Sequence, residues 1–204
     1  MQLKEAIIEL RKQEKRKFAQ SFDAIVNLKG IDLRRENINV VVNVPHKLRD
    51  KKVCGFLNAQ SSLIKTITKI EFPKYKDKKP LKDLIKNYDF FIASAPLMPS
   101  VAAAFGKVLG PAGKMPSPQL GIIGQETDAV IKNELNKISK AIKIRVKEAS
   151  IKTSIGNESM SDEEVMANFK AFYEGVLNAL PKKRESIRNV MIKLTMAKPI
   201  KLEL

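Results

Sequence analysis

The 204-residue sequence has very few of the side chains on which metal and redox chemistry depend. It holds one cysteine, Cys54, and one histidine, His46. It can therefore form no internal disulfide and offers no cluster of soft ligands for zinc or an iron–sulfur centre, so we expect neither a metal nor a cofactor. A Ser–His or Cys–His catalytic pair would have to use His46, for which the sequence suggests no partner. We expect a hydrogen-bonded histidine at a domain boundary and no enzymatic activity.

Long apolar runs are also missing. No uninterrupted apolar stretch approaches the roughly 20 residues that a membrane-spanning helix needs, and the N-terminal residues hold no apolar stretch of signal-peptide length. With 44% hydrophobic and 29% charged residues the chain can still bury a core. We therefore expect a globular protein of the cytoplasm that makes no membrane contact.

Acidic residues are scarce. The sequence has 22 Asp and Glu but 38 Lys and Arg, which gives a formal net charge of +16. Residues 53–145 hold 15 basic and 7 acidic side chains and the remainder hold 23 and 15, so each part has a net charge of +8. An excess shared in this way indicates a large anionic partner contacted over an extended surface. Aromatic residues are few, with nine Phe, three Tyr and no Trp, which favours contact with phosphates over stacking on bases.

The apolar pattern changes twice along the chain. Its beginning predicts an amphipathic helix on Leu3, Ala6, Ile7 and Leu10, followed by strands with period two over residues 22–28 and 38–44. The charged segment 45–52 then breaks the pattern. After the break, short buried strands alternate with helices at 81–86, 100–109 and 128–141, as in βαβ units around a parallel sheet, and residues 110–124 are predicted as a loop.

The end of the chain has the same apolar pattern as its beginning, namely strands with period two and one amphipathic helix. Residues 142–146 and 151–155 are predicted as extended, and 190–196 as a strand. Ser161 and Glu164 form a capping-box pattern before a helix that ends at Pro181. We therefore predict a discontinuous α+β domain of residues 1–52 and 146–204, with a βαβ domain of residues 53–145 inserted into it.

A glycine-rich stretch, residues 106–115, suggests a nucleotide-binding loop, but its spacing is wrong. A P-loop needs glycine where Val108 stands and Ser or Thr where Met115 stands. The segments 110–113 and 121–124 both match the short G-x-x-G loop with which KH domains clamp a nucleic-acid backbone, and four residues are a weak match. A proline-rigidified turn and a backbone contact to phosphate both remain open.

Residues 109–118, Leu-Gly-Pro-Ala-Gly-Lys-Met-Pro-Ser-Pro, resemble the signature loop of the ribosomal protein L one family, in an archaeal form. The resemblance extends over the whole chain with the same order and spacing, at residues 17–18, 44–46, 154–156 and 193–196. It implies a fold class of α/β and α+β, in which a discontinuous two-layer α+β domain carries an inserted Rossmann-like α/β domain.

The resemblance also implies a function. Members of this family bind large-subunit ribosomal RNA at a mobile stalk that moves as exit-site tRNA leaves, and many repress translation of their own messenger RNA. By this resemblance we expect the chain to be on the ribosome in the cytoplasm and to be a monomer when free. A standalone RNA-binding translational regulator is the alternative. A nucleotide-using enzyme is a third hypothesis, against which the failed P-loop spacing counts.

The residues that match the family's RNA-binding motifs lie near both ends of the chain. The resemblance implies a main RNA surface built from the start of the first strand, the loop before the last helix and the late strand, namely Lys17, Phe18, Ser21, Asp23, Gly156, Thr195 and Met196. Lys114 of the signature loop would add a secondary contact. Hydroxyls can bond a ribose 2′-OH or a phosphate, and Phe and Met can lie on sugar or base faces.

Two positions depart from the family pattern. Ala197 stands where glycine usually follows Thr-Met, which puts close approach of the backbone to RNA in doubt because a Cβ adds bulk. Ala112 stands where arginine is common in the signature loop, which should weaken the contact of that loop with phosphate.

Overall fold

The chain forms two compact units. A computed structural model describes residues 1–13, 16–31, 38–75, 78–146 and 148–203. The first unit comprises Met1–Arg49 and Lys140–Leu204, and the second comprises Asp50–Ser139. An antiparallel sheet with helices in the first unit and a parallel sheet with helices in the second confirm the predicted fold class.

Five α-helices and ten strands make up the described parts of the two units. The helices are α1 (Leu3–Arg11), α2 (Lys78–Asn87), α3 (Met98–Ala112), α4 (Asp128–Lys140) and α5 (Asp162–Ala179). The strands are β1 (Ser21–Leu28), β2 (Asn39–Asn43), β3 (Val53–Phe56), β4 (Lys65–Ile67), β5 (Phe90–Ser94), β6 (Ile122–Ile123), β7 (Ala141–Arg145), β8 (Ser150–Asn157), β9 (Ile187–Leu194) and β10 (Ile200–Leu202). Short 3₁₀ helices lie at Lys69–Tyr75, Ala95–Leu97 and Lys183–Ser186.

The main sheet of the first unit is antiparallel, with the strand order β10-β9-β1-β8. Along β1 every second side chain is buried, from Phe22 to Leu28, because successive residues of a strand point to opposite faces. The intervening residues lie on the more open face: Ser21, Asp23, Ile25 and Asn27. An irregularity follows Phe22, since Phe22 lies opposite Gly156 whereas Asp23 lies opposite Ser154.

Helix α5 closes the core of the first unit. Its start has the predicted capping box, in which Ser161 Oγ accepts from the Glu164 backbone N–H at 3.2 Å and Glu164 Oε2 accepts from the Ser161 N–H at 3.0 Å. Its buried stripe includes Val165, Phe169, Phe172 and Val176. The helix also packs against β2, where Gly175 lies close to Val42.

The chain returns from the second unit to the first earlier than predicted. The structure puts this boundary at 139/140, whereas the sequence analysis puts it at 145/146. The reason is that β7 pairs with β2 of the first unit, from Asn39 opposite Arg145 to Asn43 opposite Ala141. The Val44 N–H continues this ladder by donating to the Lys140 carbonyl at 2.8 Å.

The second unit contains a parallel sheet with the order β4-β3-β5-β6. Four phenylalanines from its strands and helices pack together in the core: Phe56, Phe72, Phe91 and Phe105. The predicted end of α3 at residue 109 is wrong, because the helix continues through Pro111 to Ala112 and ends at Gly113, whose φ of 72° is left-handed. The predicted loop also contains β6.

Candidate nucleic-acid interface

The start of β1 and the turn after β9 meet on the surface of the first unit. The Ser21 N–H donates to Thr195 Oγ1 at 3.0 Å, and the Thr195 N–H donates to the Ser21 carbonyl at 3.1 Å. The two hydroxyl oxygens are 3.0 Å apart. Two predicted site residues that are distant in sequence therefore lie side by side, Thr195 exposed and Ser21 half-buried, in what we call the Ser21–Thr195 junction.

Asp23 extends the junction along the open face of the sheet. The Ser21 hydroxyl donates to Asp23 Oδ1 at 3.0 Å, and Asp23 lies opposite Lys193 on β9 and Ser154 on β8. A depression of about 240 Å³ is centred here. Its lining comprises Asp23, Ile25, Lys152, Thr153, Ser154 and Lys193. Two lysines and one carboxylate thus line a concave surface together with hydroxyls, a set that can bind phosphate and ribose groups.

Large apolar side chains lie exposed beside the junction. Phe18 precedes Ser21 by three residues and has 52% of its surface exposed, and Met196 directly follows Thr195 and is 65% exposed. Lys17 is exposed as well. A second depression, of about 280 Å³, is lined by Gln13, Arg16, Gln20, Met196 and Ala197. Exposed apolar groups among basic side chains are suited to sugar and base faces.

Gln20 and Glu158 organise this surface, although neither is among the residues predicted from the sequence. The Gln20 side chain is buried, and its Oε1 accepts from the Met196 N–H at 3.2 Å. Its backbone N–H donates to Glu158 Oε2 at 3.1 Å, and its carbonyl accepts from the Glu158 N–H at 2.9 Å. Gln20 lies two residues before the buried Phe22, so the alternation of the strand predicts that its side chain points to the core. This alternation is the signal in the sequence that could have indicated its burial.

Gly156 lies in a different place from the predicted one. Its predicted position is the loop before the last helix, whereas in the structure it lies inside β8, buried and opposite Phe22. A Cβ at this position would lie 3.2 Å from Val165 Cγ2 and 3.3 Å from Met160 Sδ. The absence of a side chain thus lets α5 and its cap pack closely on the strand, and RNA contact by Gly156 stays a prediction.

Thr195 and Met196 also differ from prediction in their local structure. They belong to a turn rather than to the late strand, because β9 ends at Leu194 and the Ala197 N–H donates to the Leu194 carbonyl at 3.0 Å. A turn presents both side chains outward, whereas a strand would present one of them to the core. The methyl group of Ala197 packs against the core of the first unit.

Lys114 lies in the second unit and already has partners. Its Nζ donates to the carbonyl of Ile85 and to that of Tyr88, both at 2.7 Å. These carbonyls are at the C-terminal end of α2, where a cation satisfies acceptors that the helix leaves open and interacts favourably with the helix dipole. The signature loop therefore has a structural role that the sequence analysis did not predict, and contact of Lys114 with RNA stays a prediction.

The backbone of His46 is held by hydrogen bonds to the Asn168 side chain. Its backbone N–H donates to Asn168 Oδ1 at 2.9 Å, and the Asn168 amide donates back to the His46 carbonyl at 3.2 Å. Its Nδ1 lies 3.5 Å from Glu164 Oε1. In the part of the chain that the structure describes, no three His, Cys, Asp or Glu side chains are grouped so as to hold a metal ion. No described helix is long and apolar enough to cross a membrane.

Known proteins resemble this chain over nearly its whole length. The sequence profile of the ribosomal protein L1p/L10e family matches residues 10–198. The large ribosomal subunit protein uL1 of Pyrobaculum calidifontis is 32% identical over 205 residues, which cover 95% of this chain and 89% of the relative. The uL1 proteins of Pyrococcus horikoshii and Methanocaldococcus jannaschii are 33% and 35% identical, each over 98% of this chain and 94% of the relative. The chain therefore belongs to the ribosomal protein L1p/L10e family, a family of structural ribosomal proteins rather than enzymes.

Proposed function

We propose that this chain binds large-subunit ribosomal RNA as a structural protein of the cytoplasmic ribosome, and that the first unit carries the main RNA surface. The observation that supports this most directly is the Ser21–Thr195 junction, in which two hydroxyl oxygens lie 3.0 Å apart and close in sequence to the exposed Phe18 and Met196. The relatives' description as large ribosomal subunit proteins supports the choice of RNA.

Each side chain of the surface has a role that its chemistry suits. Lys17 contacts a phosphate as a point charge. The Ser21 hydroxyl donates to Asp23 and Thr195 Oγ1 accepts from the Ser21 N–H, but each oxygen keeps a lone pair that can accept from a ribose 2′-OH, the group that distinguishes RNA from DNA. Asp23 accepts from a 2′-OH or orients a neighbouring lysine. Because the set is largely neutral, it recognises the shape of a folded RNA rather than its charge alone.

The family resemblance also supports two more specific functions, one at the exit-site tRNA and one on the chain's own messenger RNA. The chain would hold the mobile stalk of the large subunit as exit-site tRNA leaves, would repress translation of its own messenger RNA and would be a monomer when free. A standalone translational regulator that acts off the ribosome is the second candidate, because it would use the same surface.

Two measurements test the proposal. In a mobility-shift assay, a stalk fragment of large-subunit RNA should bind the chain, and a duplex of equal length and unrelated sequence should bind more weakly. Sedimentation through a sucrose gradient then separates the candidates, since a ribosomal protein should travel with large subunits and a pure repressor should remain at the top. Equal affinity for both RNAs would contradict recognition of RNA shape.

A further inference from the structure

The parallel sheet of the second unit has a topological switch point, the place at which open α/β sheets bind ligands. Its strand order, β4-β3-β5-β6, places β4 on one side of β3 and β5 on the other. The connections that leave the carboxyl ends of β3 and β5 therefore run in opposite directions. Ligands of open α/β folds bind at such a switch point, outside the carboxyl ends of the strands. The glycine-rich stretch at residues 106–115 lacks the P-loop spacing, so it does not explain what binds at this switch point.

In this structure the side chain of Glu126 lies at that position. The residue follows β6, and its carboxylate accepts from groups just beyond β3. The Asn58 N–H donates to Oε2 at 2.9 Å, the Asn58 amide group donates to Oε1 at 2.6 Å, and the Ala59 N–H donates to Oε2 at 3.2 Å. Ser94, a buried residue at the end of β5, also helps to lower the pKa of this carboxyl.

These donors are arranged for an anion. Burial disfavours the charge of Glu126, but hydrogen bonds from Ser94, Asn58 and Ala59 outweigh this effect and lower the pKa of the carboxyl below its ordinary value. Two successive backbone N–H groups that converge on one carboxylate are the kind of arrangement that binds phosphate in other proteins. The same two connections meet once more nearby, where the Ser61 hydroxyl donates to Asp128 Oδ1 at 3.4 Å.

We infer that the second unit has an oxyanion-binding site built from the backbone N–H groups of Asn58 and Ala59 and the Asn58 side chain, and that the chain fills this site with its own Glu126. The ligand class is a carboxylate or a phosphate group. While Glu126 occupies the site, its carboxylate takes the donors that an outside anion would need and joins the connection after β3 to that after β6. The inference concerns the second unit alone and does not depend on the proposed RNA surface of the first.

Removal of the Glu126 carboxylate tests the inference in the full chain. We expect Glu126→Ala to lower the thermal midpoint by roughly 4–8 °C, and we expect sodium acetate or sodium phosphate to restore it saturably at an ionic strength held constant with sodium chloride. In ¹⁵N spectra of this variant, the amide resonances of Asn58 and Ala59 should shift saturably with the added anion. Recovery with acetate, phosphate or both identifies which oxyanions the site admits.

The controls make the result decisive. Wild type and Glu134→Ala, which removes another carboxylate of this unit, one that pairs with Lys137, should show no saturable shift at Asn58 and Ala59. A folded Glu126→Ala protein that responds to neither anion, or a wild type that binds them equally well, would overturn the inference. If the alanine variant does not fold, a pH titration of wild type and Glu126→Gln replaces it. In wild type the amide resonances of Asn58 and Ala59 should shift as a carboxyl group titrates, and this shift should be absent from Glu126→Gln. Identical titration curves for the two proteins would refute the site.

Discussion

At the scale of single residues, the contrast between Phe18 and Phe169 separates recognition from stability. Phe18 is half exposed beside the Ser21–Thr195 junction, whereas Phe169 is buried on α5. We expect Phe18→Ala and Thr195→Val to weaken RNA binding while the free energy of unfolding changes little. Phe169→Ala should instead lower the free energy of unfolding by roughly 3–5 kcal/mol, because it leaves a cavity in the core. Urea unfolding and mobility shifts measure the two effects, and equal stability losses in all three variants would show that the proposed surface is core.

The thiol of Cys54 gives a second prediction at this scale. Burial raises the pKa of Cys54 to about 12, so the native thiol should stay protonated and be alkylated far more slowly at pH 8 than in the unfolded chain. Because the folded pKa is the higher one, this thiol stabilises the fold fully below its unfolded pKa of roughly 8.5, and the contribution is lost as the pH rises from there towards 12. Iodoacetamide labelling with and without urea measures the rates. Equal rates would contradict burial of Cys54.

Single residues also show how far the sequence predicts the site. Ser21 and Asp23 could be placed on one face of a strand, because the period of two determines which side chains are exposed. Gln20 obeys the same period but was missed, since a polar side chain is rarely buried without a visible partner and its partner, the Met196 N–H, is distant in sequence. The packing of Gly156 against Val165 is a tertiary contact of the same kind, which no local pattern shows.

At the scale of elements, two glycines in helices should respond in opposite ways to the same substitution. A Cβ at Gly175 in α5 would lie 2.5 Å from Val42 Cγ2 on β2, whereas a Cβ at Gly106 in α3 would meet nothing within 4 Å. Gly175→Ala should therefore destabilise the chain by roughly 1–3 kcal/mol through overpacking. Gly106→Ala should stabilise it by about 0.5–1 kcal/mol, the ordinary gain in a helix interior. Urea unfolding compares them, and a stabilised Gly175→Ala variant would contradict the close approach of α5 to β2.

The signature loop gives a prediction about the end of α2. Lys114→Met keeps most of the side-chain volume but removes the ammonium that bonds the carbonyls of Ile85 and Tyr88. We expect a loss of about 1.5–3 kcal/mol in the free energy of unfolding, the range for hydrogen bonds to a charged group. If Lys114 instead serves mainly to contact RNA, the variant should keep its stability and bind RNA with a reduced salt dependence. Unfolding curves and binding isotherms on the same preparation distinguish the two roles.

Element ends were the least predictable features of the fold. The glycines and prolines after Leu109 indicated a loop, yet α3 continues for three more residues, because Pro111 in the last turn removes only one backbone donor and Gly113 supplies the left-handed end. The period of two ran on from β9 through Met196, although the strand ends at Leu194. The end of α3 is decided locally by Gly113, whereas the end of β9 is fixed by hydrogen bonds from Thr195 and Met196 to Ser21 and Gln20, which are distant in sequence.

At the scale of the whole molecule, alternation of pattern along the chain predicted the fold class. Period-two strands at both ends and βαβ units between them are physically distinct signals, so an antiparallel and a parallel sheet could be expected from them. The boundary was harder, because Ala141–Arg145 reads as an ordinary extended segment and only its pairing with β2 assigns it to the first unit. Charge divided between both parts of the sequence favours a partner that is large and anionic.

That charge leads to a prediction for the complete protein with a stalk RNA fragment. Affinity should fall steeply with salt, with a slope in a double-logarithmic plot of about −0.9 for each duplex phosphate neutralised. Lys17→Ala should reduce the magnitude of the slope by about 0.9, because one phosphate contact is lost. Phe18→Ala should weaken binding by about 1–3 kcal/mol through lost stacking and leave the slope unchanged, because no counterion is released by an aromatic contact. Binding isotherms at several salt concentrations measure both quantities. A flat response in wild type, or a slope that Lys17→Ala does not change, would mean that the exposed lysine beside the junction contacts no phosphate.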